Sequence, residues 1–214
     1  MNTLEIPDRQ TSAVLGHSLV WLPEHGIGYF PVPAENHPYN ADYFAKYDGY
    51  AQTELGRRIT AFRVDLVRRH IGDGTLIDVG IGNGSFIEAR GGKTTWGIDV
   101  NPVAVEWLNQ RHRRWAVDAI PSASFWDALE HFRSPEEILS RVRSHVFLSI
   151  PIFRDADHVR GSRHYRRNEH YWYFTRDGLV RWIAGCGFVL LEESVEETRL
   201  GRVDIGTFVF ARAV

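Results

Sequence analysis

The stretch Asp78-Val79-Gly80-Ile81-Gly82-Asn83-Gly84-Ser85 constrains the fold of this chain more than any other. It continues the apolar run Leu76 to Gly80, which reads as a buried strand, and it opens a helical pattern at Ser85. Glycines at alternate positions let the backbone turn sharply and let a ligand lie against it without meeting a Cβ. Their spacing selects the ligand. A dinucleotide loop wants G-x-G-x-x-G, with a pyrophosphate on the helix N-terminus; here the spacing is G-x-G-x-G, with an acid two residues upstream. Asp78 is a poor neighbour for a pyrophosphate and a good one for a nucleoside that carries a positive charge. Asp99, in GIDVNP 19 residues beyond Gly80, falls where a carboxylate accepts hydrogen bonds from ribose hydroxyls.

The rest of the chain extends this strand-loop-helix unit. Thr94 to Val100 reads as a second strand, Pro102 to Asn109 as a helix with proline in its first turn, and residues 114 to 129 as one or two compressed strands. Ser134, Pro135 and Glu137 form a capping-box pattern. His145 to Pro151 is a further strand, Thr175 to Ala184 a helix closed by Gly185 or Gly187, and FVLLEESVEE with DIGTFVFARA a terminal antiparallel pair. Upstream, Gly28 to Asn40 carries three prolines and reads as an extended arm. Apolar residues at three- and four-residue spacings then predict helices near 40 to 50 and 52 to 70, with Arg57, Arg58, Arg63, Arg68 and Arg69 on the solvated face. Alternating strands and helices of this kind build an α/β domain.

Composition narrows the partners. Lys and Arg total 25 against 27 Asp and Glu, so bulk attraction to a phosphate backbone is not expected. A single cysteine, Cys186, rules out an intrachain disulfide framework and suits a reducing cytoplasm. No stretch has the ~18 apolar residues of a membrane span, and the first ten residues lack a signal-peptide pattern.

The DVGIGNG loop together with Asp99 resembles the class I S-adenosylmethionine-dependent methyltransferases. The resemblance covers residues 74 to 214 and takes in WDALEH (Trp126 to His131) and the strand VFLSIP. It implies a three-layer, Rossmann-like sheet of seven strands, mostly parallel with an antiparallel last strand, preceded by an N-terminal helical lid. The expected division is an arm and lid in residues 1–72 and a cofactor-binding core in residues 73–214. The resemblance also implies S-adenosyl-L-methionine as cofactor, with Asp78, Gly80, Gly82, Asn83 and Gly84 at its methionine end and Asp99 and Val100 at its ribose. Trp126 and Asp127 are further cofactor-facing positions. Asp118 matches an adenine acid, 19 residues after Asp99, but only nine residues separate it from Asp127, too few for a full loop, helix and strand.

Two clusters offer groups for the methyl acceptor. Asp127, Glu130 and His131 follow a central strand, at the carboxyl edge where α/β sheets bind ligands. The second is HYRRNEHYWYF, His164 to Phe174. The catalytic candidates are His131, Glu130 and His170; the substrate candidates are Tyr43, Tyr47, Tyr50, His164 and Tyr171. His158, His164 and His170 recur every six residues, which places no two on one helical face, so no metal site is expected. Residues 154 to 181 carry seven arginines against four acids, with aromatics interleaved, a pattern that suits a planar or anionic partner. A small-molecule acceptor, methylated on oxygen or nitrogen, is the first expectation. The alternatives are a nucleic-acid or nucleotide-modifying methyltransferase of phage or mobile-element type, using that loop, and a non-catalytic cofactor-binding scaffold. Against base N-methylation, Ser149-Ile150-Pro151-Ile152-Phe153 lacks the second proline of the [DNS]-P-P-[YFW] turn.

Overall fold

The computed structural model describes residues 18–31, 39–91 and 94–213. Its main sheet has six strands in the order β4-β3-β5-β6-β9-β8: β3 (Leu76–Val79), β4 (Thr95–Ile98), β5 (Ala123–Trp126), β6 (His145–Pro151), β8 (Phe188–Ser194) and β9 (Ile205–Arg212). β4, β3, β5 and β6 run parallel; β9 pairs antiparallel with both β6 and β8. The last strand is therefore the reversed one, as the family resemblance implies.

Period-two alternation along the central strands creates the three layers. Ile77, Leu148 and Phe210 enter one apolar cluster, which also takes Leu139 and Ile183 from helices α5 (Pro135–Arg141) and α7 (Arg176–Gly185). Their neighbours Leu76, Phe147 and Val209 point the other way, onto Val64, Leu66 and Val67 of helix α2 (Glu54–Ile71). Thr53 caps α2 by accepting the Gly56 N–H at 3.0 Å, and Gly72 closes it with φ 53°. Helices α3 (Ser85–Arg90) and α4 (Pro102–Gln110) share a third cluster of Ile81, Ile87, Ala104 and Leu108, where helix α1 (Ala41–Ala51) docks through Phe44.

Several expectations are corrected. The seventh strand is absent among the described residues: where it should lie, residues 111–122 make only isolated parallel bridges, Gly97 with Arg114 and Ile120 with Val142. The chain from α4 to β5 is too short for a full crossover, so it runs along the sheet edge. The arm is partly a strand, because β1 (Val20–Leu22) and β2 (Ile27–Tyr29) pair antiparallel and β2 adds to β7 (Trp172–Phe174). Trp172, Tyr173 and Phe174 are thereby buried, so these three aromatics of the arginine-rich loop are core, while Tyr165 and Tyr171 are partly buried against core clusters. Ser134 makes no side-chain cap; its carbonyl instead accepts the Glu137 N–H at 3.1 Å. Finally, Arg63 is not solvated: its side chain is 13% exposed. The two short helices not yet placed are α6 (Ala156–Gly161) and α8 (Glu196–Arg199).

Candidate active site

The carboxyl ends of β3, β4 and β5 open into a cavity of about 250 Å³. Asp78 to Asn83, Ile98 to Asn101 and Trp126 to Ala128 form its floor; Tyr39, Tyr47 and Tyr50 cover it, with His131 at the side. Helix α1 is tied down over it by polar contacts. Asn83 Nδ2 donates to Asp48 at 3.3 Å, and Asn101 Nδ2 donates to the Asn40 carbonyl at 3.1 Å.

The glycine loop owes its shape to two kinds of constraint. Gly84 has φ 81°, and a Cβ there would sit 2.5 Å from the Trp107 ring, whereas Gly82, at φ 58°, has open space in front of it. Gly84→Ala therefore combines a clash with left-handed strain and should cost about 2–4 kcal/mol, against about 1–2 kcal/mol for Gly82→Ala, where strain alone acts. Thermal unfolding of the two variants checks the order; equal losses would mean that Trp107 gives way freely.

The two acids of the loop region sit in different surroundings. Asp78 is 1% exposed and accepts the Ser124 hydroxyl at 2.6 Å; burial pushes its pKa up to about 7, opposed by that hydrogen bond and the nearby Arg63 charge. Asp99 accepts the Asn101 N–H at 2.7 Å, and burial raises its pKa against the pull of the surrounding backbone N–H groups.

Beside them lies an ion network absent from the sequence expectations. Glu197, wholly buried, accepts Arg63 Nε at 2.7 Å, Arg202 Nη1 at 2.6 Å and the Ser149 hydroxyl at 2.6 Å. The same guanidinium groups reach Asp127, Arg63 at 3.1 Å and Arg202 at 2.8 Å. Burial alone would raise the Asp127 pKa, but Arg202 and Arg63 outweigh it and hold the carboxyl well below the usual range. The network also fixes Asp127 in a left-handed conformation, φ 55°. One signal for it was available: Arg63 stands four residues from both Ile59 and Val67, on the apolar stripe of α2.

At the other side, Glu130 and His170 are buried behind His131. The His131 and His170 rings meet edge to face with centroids 4.7 Å apart, and the Tyr39 hydroxyl lies 3.1 Å from His131 Nδ1. Burial pushes the Tyr39 pKa up to about 12, so its hydroxyl stays protonated, and burial drives His170 well below the normal histidine value, which keeps it neutral. Burial, helped by the charge of Asp127, raises the Glu130 pKa to about 8.

The structure thus gathers Asp78, Gly80, Gly82, Asn83, Asp99, Val100, Trp126, Asp127, Tyr47, Tyr50 and His131 around one cavity. Others fall outside its lining. Asp118 is fully exposed and pairs with Arg141 at 3.1 Å, because the shortened edge segment carries it away. His164 bonds the Val203 carbonyl at 2.9 Å, and Tyr171 packs on the main core cluster. Gly84 shapes the loop from behind, and the Tyr43 side chain lies outside the described residues.

Comparison with known proteins supports this architecture. The family described as "Methyltransferase domain" matches residues 47–193. Magnesium protoporphyrin IX methyltransferase from Synechocystis PCC 6803, solved with S-adenosylhomocysteine (SAH) bound, superposes with a TM-score of 0.61 at 13% identity, over 82% of this chain and 96% of that one. The 1,6-didemethyltoxoflavin-N1-methyltransferase of Burkholderia thailandensis gives 0.52 at 15% identity, over 88% and 96%. The [4+2]-cyclase SpnF gives 0.52 at 16% identity, over 74% and 81%. A search of curated protein sequences returns no match. The chain belongs to the methyltransferase-domain family, and its fold is that of the class I S-adenosylmethionine-dependent methyltransferases. Its match begins inside α1 and runs into β8, so the family region includes half of the helix that covers the cavity. Among the described residues no helix is long and apolar enough to cross a membrane.

Proposed function

We propose that the chain transfers the methyl group of S-adenosylmethionine to an oxygen or nitrogen of a small acceptor held beneath α1. The observation that carries this is one continuous cavity with Asp78, the glycine loop and Asp99 on one wall and Tyr39, Tyr47, Tyr50 and His131 on the other. In this arrangement Asp78 faces the ammonium of the methionine end and Asp99 the ribose. The acceptor enters from the tyrosine side. Its lone pair attacks the methyl carbon in line with the breaking S–C bond; SAH leaves as a neutral thioether, and the acceptor proton passes to the His131 side of the cavity. Helix α1 serves as the lid that removes water from the reacting groups. Two fold neighbours are named for small acceptors, a magnesium protoporphyrin and a didemethyltoxoflavin, which supports an acceptor of that size.

Transfer of a labelled methyl group to a panel of phenols, carboxylates and amines tests the proposal, with polynucleotide as the contrasting arm. Methylation of a polynucleotide, with binding that falls steeply with salt, would replace the small-molecule acceptor by nucleic acid.

The buried Asp78 also sets a pH dependence. Its pKa is raised to about 7, so it loses its charge as pH falls through 7 and with it the attraction for the cofactor's ammonium. Cofactor affinity should be nearly flat above about pH 8, halve by about pH 7 and be about tenfold below its plateau at about pH 6. Calorimetry across that range checks it, and an Asp78→Asn variant should lose the slope.

A further inference from the structure

Glu130, His131 and His170 each offer one ligand atom, and these atoms all lie within 4.8 Å of one another. We propose that this trio binds a divalent transition-metal cation of zinc type at the acceptor side of the cavity. Binding of the cation stands on three features of the cluster itself; only its place relative to the methyl acceptor rests on the proposed function.

The first is the donor set. Two imidazoles and one carboxylate match the borderline preference of zinc and its neighbours, and three protein ligands leave a coordination position for water or a substrate oxygen. The second is the state of the donors. Glu130 is 1% exposed and His170 4% exposed, yet neither carboxyl oxygen of Glu130 and not Nδ1 of His170 has a hydrogen-bond partner. Buried polar atoms are rarely left this way, and hydrogen bonding within the trio does not account for these. Among the described residues, the two arginines whose charge reaches Glu130 are already engaged, Arg202 by Asp127 at 2.8 Å and Glu197 at 2.6 Å, and Arg166 by Glu169 at 2.8 Å. A cation between the three would give the buried Glu130 and His170 side chains a polar partner.

The third is rigidity. The two segments that carry the ligands are stitched to each other: the Glu130 carbonyl accepts the Tyr171 N–H at 2.8 Å, and the Trp172 indole donates to the Phe132 carbonyl at 3.0 Å. His170 is held further by its own N–H on the Arg166 carbonyl at 2.9 Å. Ligands around a tetrahedral zinc stand about 3.3 Å apart, so the widest gap here must close by roughly 1.5 Å. His131, less buried than Glu130 and His170, is the ligand with the most room to adjust. Tyr39, at His131 Nδ1, is placed to orient the ring as outer partners of metal-bound histidines do. Because His131 lines the cavity and the other two do not, the open coordination position faces the acceptor. A cation there would polarise an acceptor hydroxyl directly.

The test uses the full chain, stripped with chelator and free of cofactor, titrated with Co(II) and then Zn(II). One cation per chain should bind, cobalt with a visible ligand-field spectrum, and X-ray absorption at the zinc edge should show two imidazoles. Glu130→Gln, His170→Asn and His131→Gln should each weaken binding at least tenfold, while His112→Ala at an exposed histidine should not. Circular dichroism and SAH calorimetry, run on the same samples, establish that each variant is folded and keep this result separate from the cofactor proposal. No stoichiometric binding by the wild-type chain, or affinity unchanged in all three site variants, overturns the site. If a buried variant fails to fold, the half-buried His131→Gln and the imidazole count at the zinc edge decide it.

Discussion

Asp99→Ala is expected to weaken SAH binding by about thirty- to a hundredfold while leaving the fold intact. Asp99 stands just past the end of β4, in the cavity floor, with one oxygen already accepting the Asn101 N–H at 2.7 Å. The backbone N–H groups of Ile81, Gly82 and Val100 also turn toward the carboxylate, which lines the cavity at the place proposed for the ribose. Hydrogen bonds to a charged acceptor are worth about 1.5–3 kcal/mol each, and the lost carboxylate forfeits its share of two ribose hydroxyls. Asp99→Asn, which keeps the acceptor oxygen and the turn at Asn101, should lose less. The same variant should unfold within about 1 kcal/mol of wild type, since Asp99 is a loop residue whose burial opposes its charge. Calorimetry and thermal melts check both halves. Wild-type affinity in Asp99→Ala would remove the ribose assignment.

The second large effect is on stability. Glu197→Ala should cost about 3–5 kcal/mol, because it leaves Arg63 and Arg202 buried with Asp127 as their one shared counter-charge and leaves the Ser149 hydroxyl only the Thr207 hydroxyl, at 3.1 Å. For a domain of this size that is a fall of about 6–20 °C in the melting midpoint. Glu197→Gln keeps part of the hydrogen bonding and should fall between. Asp127 contributes with a definite sign. Its pKa is depressed in the fold, so its contribution is complete above the unfolded value near 4 and fades only as pH drops through the folded value. Wild type should therefore hold this term down to about pH 4. A melt of Glu197→Ala within about 1 kcal/mol of wild type would show that the network is not a structural element. Because it also fixes the left-handed Asp127 beside Trp126, a loss of cofactor affinity should accompany the loss of stability.

Local chemistry was legible in the sequence, and assembly across distance was not. The glycine loop and Asp78 lie within a few residues of each other and Asp99 follows at the end of the next strand, so their spacing predicts two of the three segments of the cavity floor. Tyr47 and Tyr50 follow from helical spacing in the same way. The ion network joins residues 63, 127, 197 and 202, so no window of sequence contains it, and Glu197 reads locally as one of several exposed glutamates. Likewise, His170 shares a six-residue repeat with His158 and His164, but the fold separates them. His158 faces Asp204 at 3.2 Å, His164 faces Val203, and His170 turns to Glu130 and His131, some forty residues earlier. The pairing of β2 with β7 is another such case, since it requires residue 27 to meet residue 174. Asp118 shows the reverse failure: its spacing from Asp99 fits a full-length edge crossover, and the shortened segment puts it on the surface.

A structure of the full chain with SAH bound tests the central claim most directly. The account predicts the methionine end over the glycine loop beside Asp78, the ribose hydroxyls on Asp99, and the sulfur facing His131 and the tyrosines of α1. The product found outside this cavity, or within it with its sulfur turned away from the tyrosine side, would contradict it.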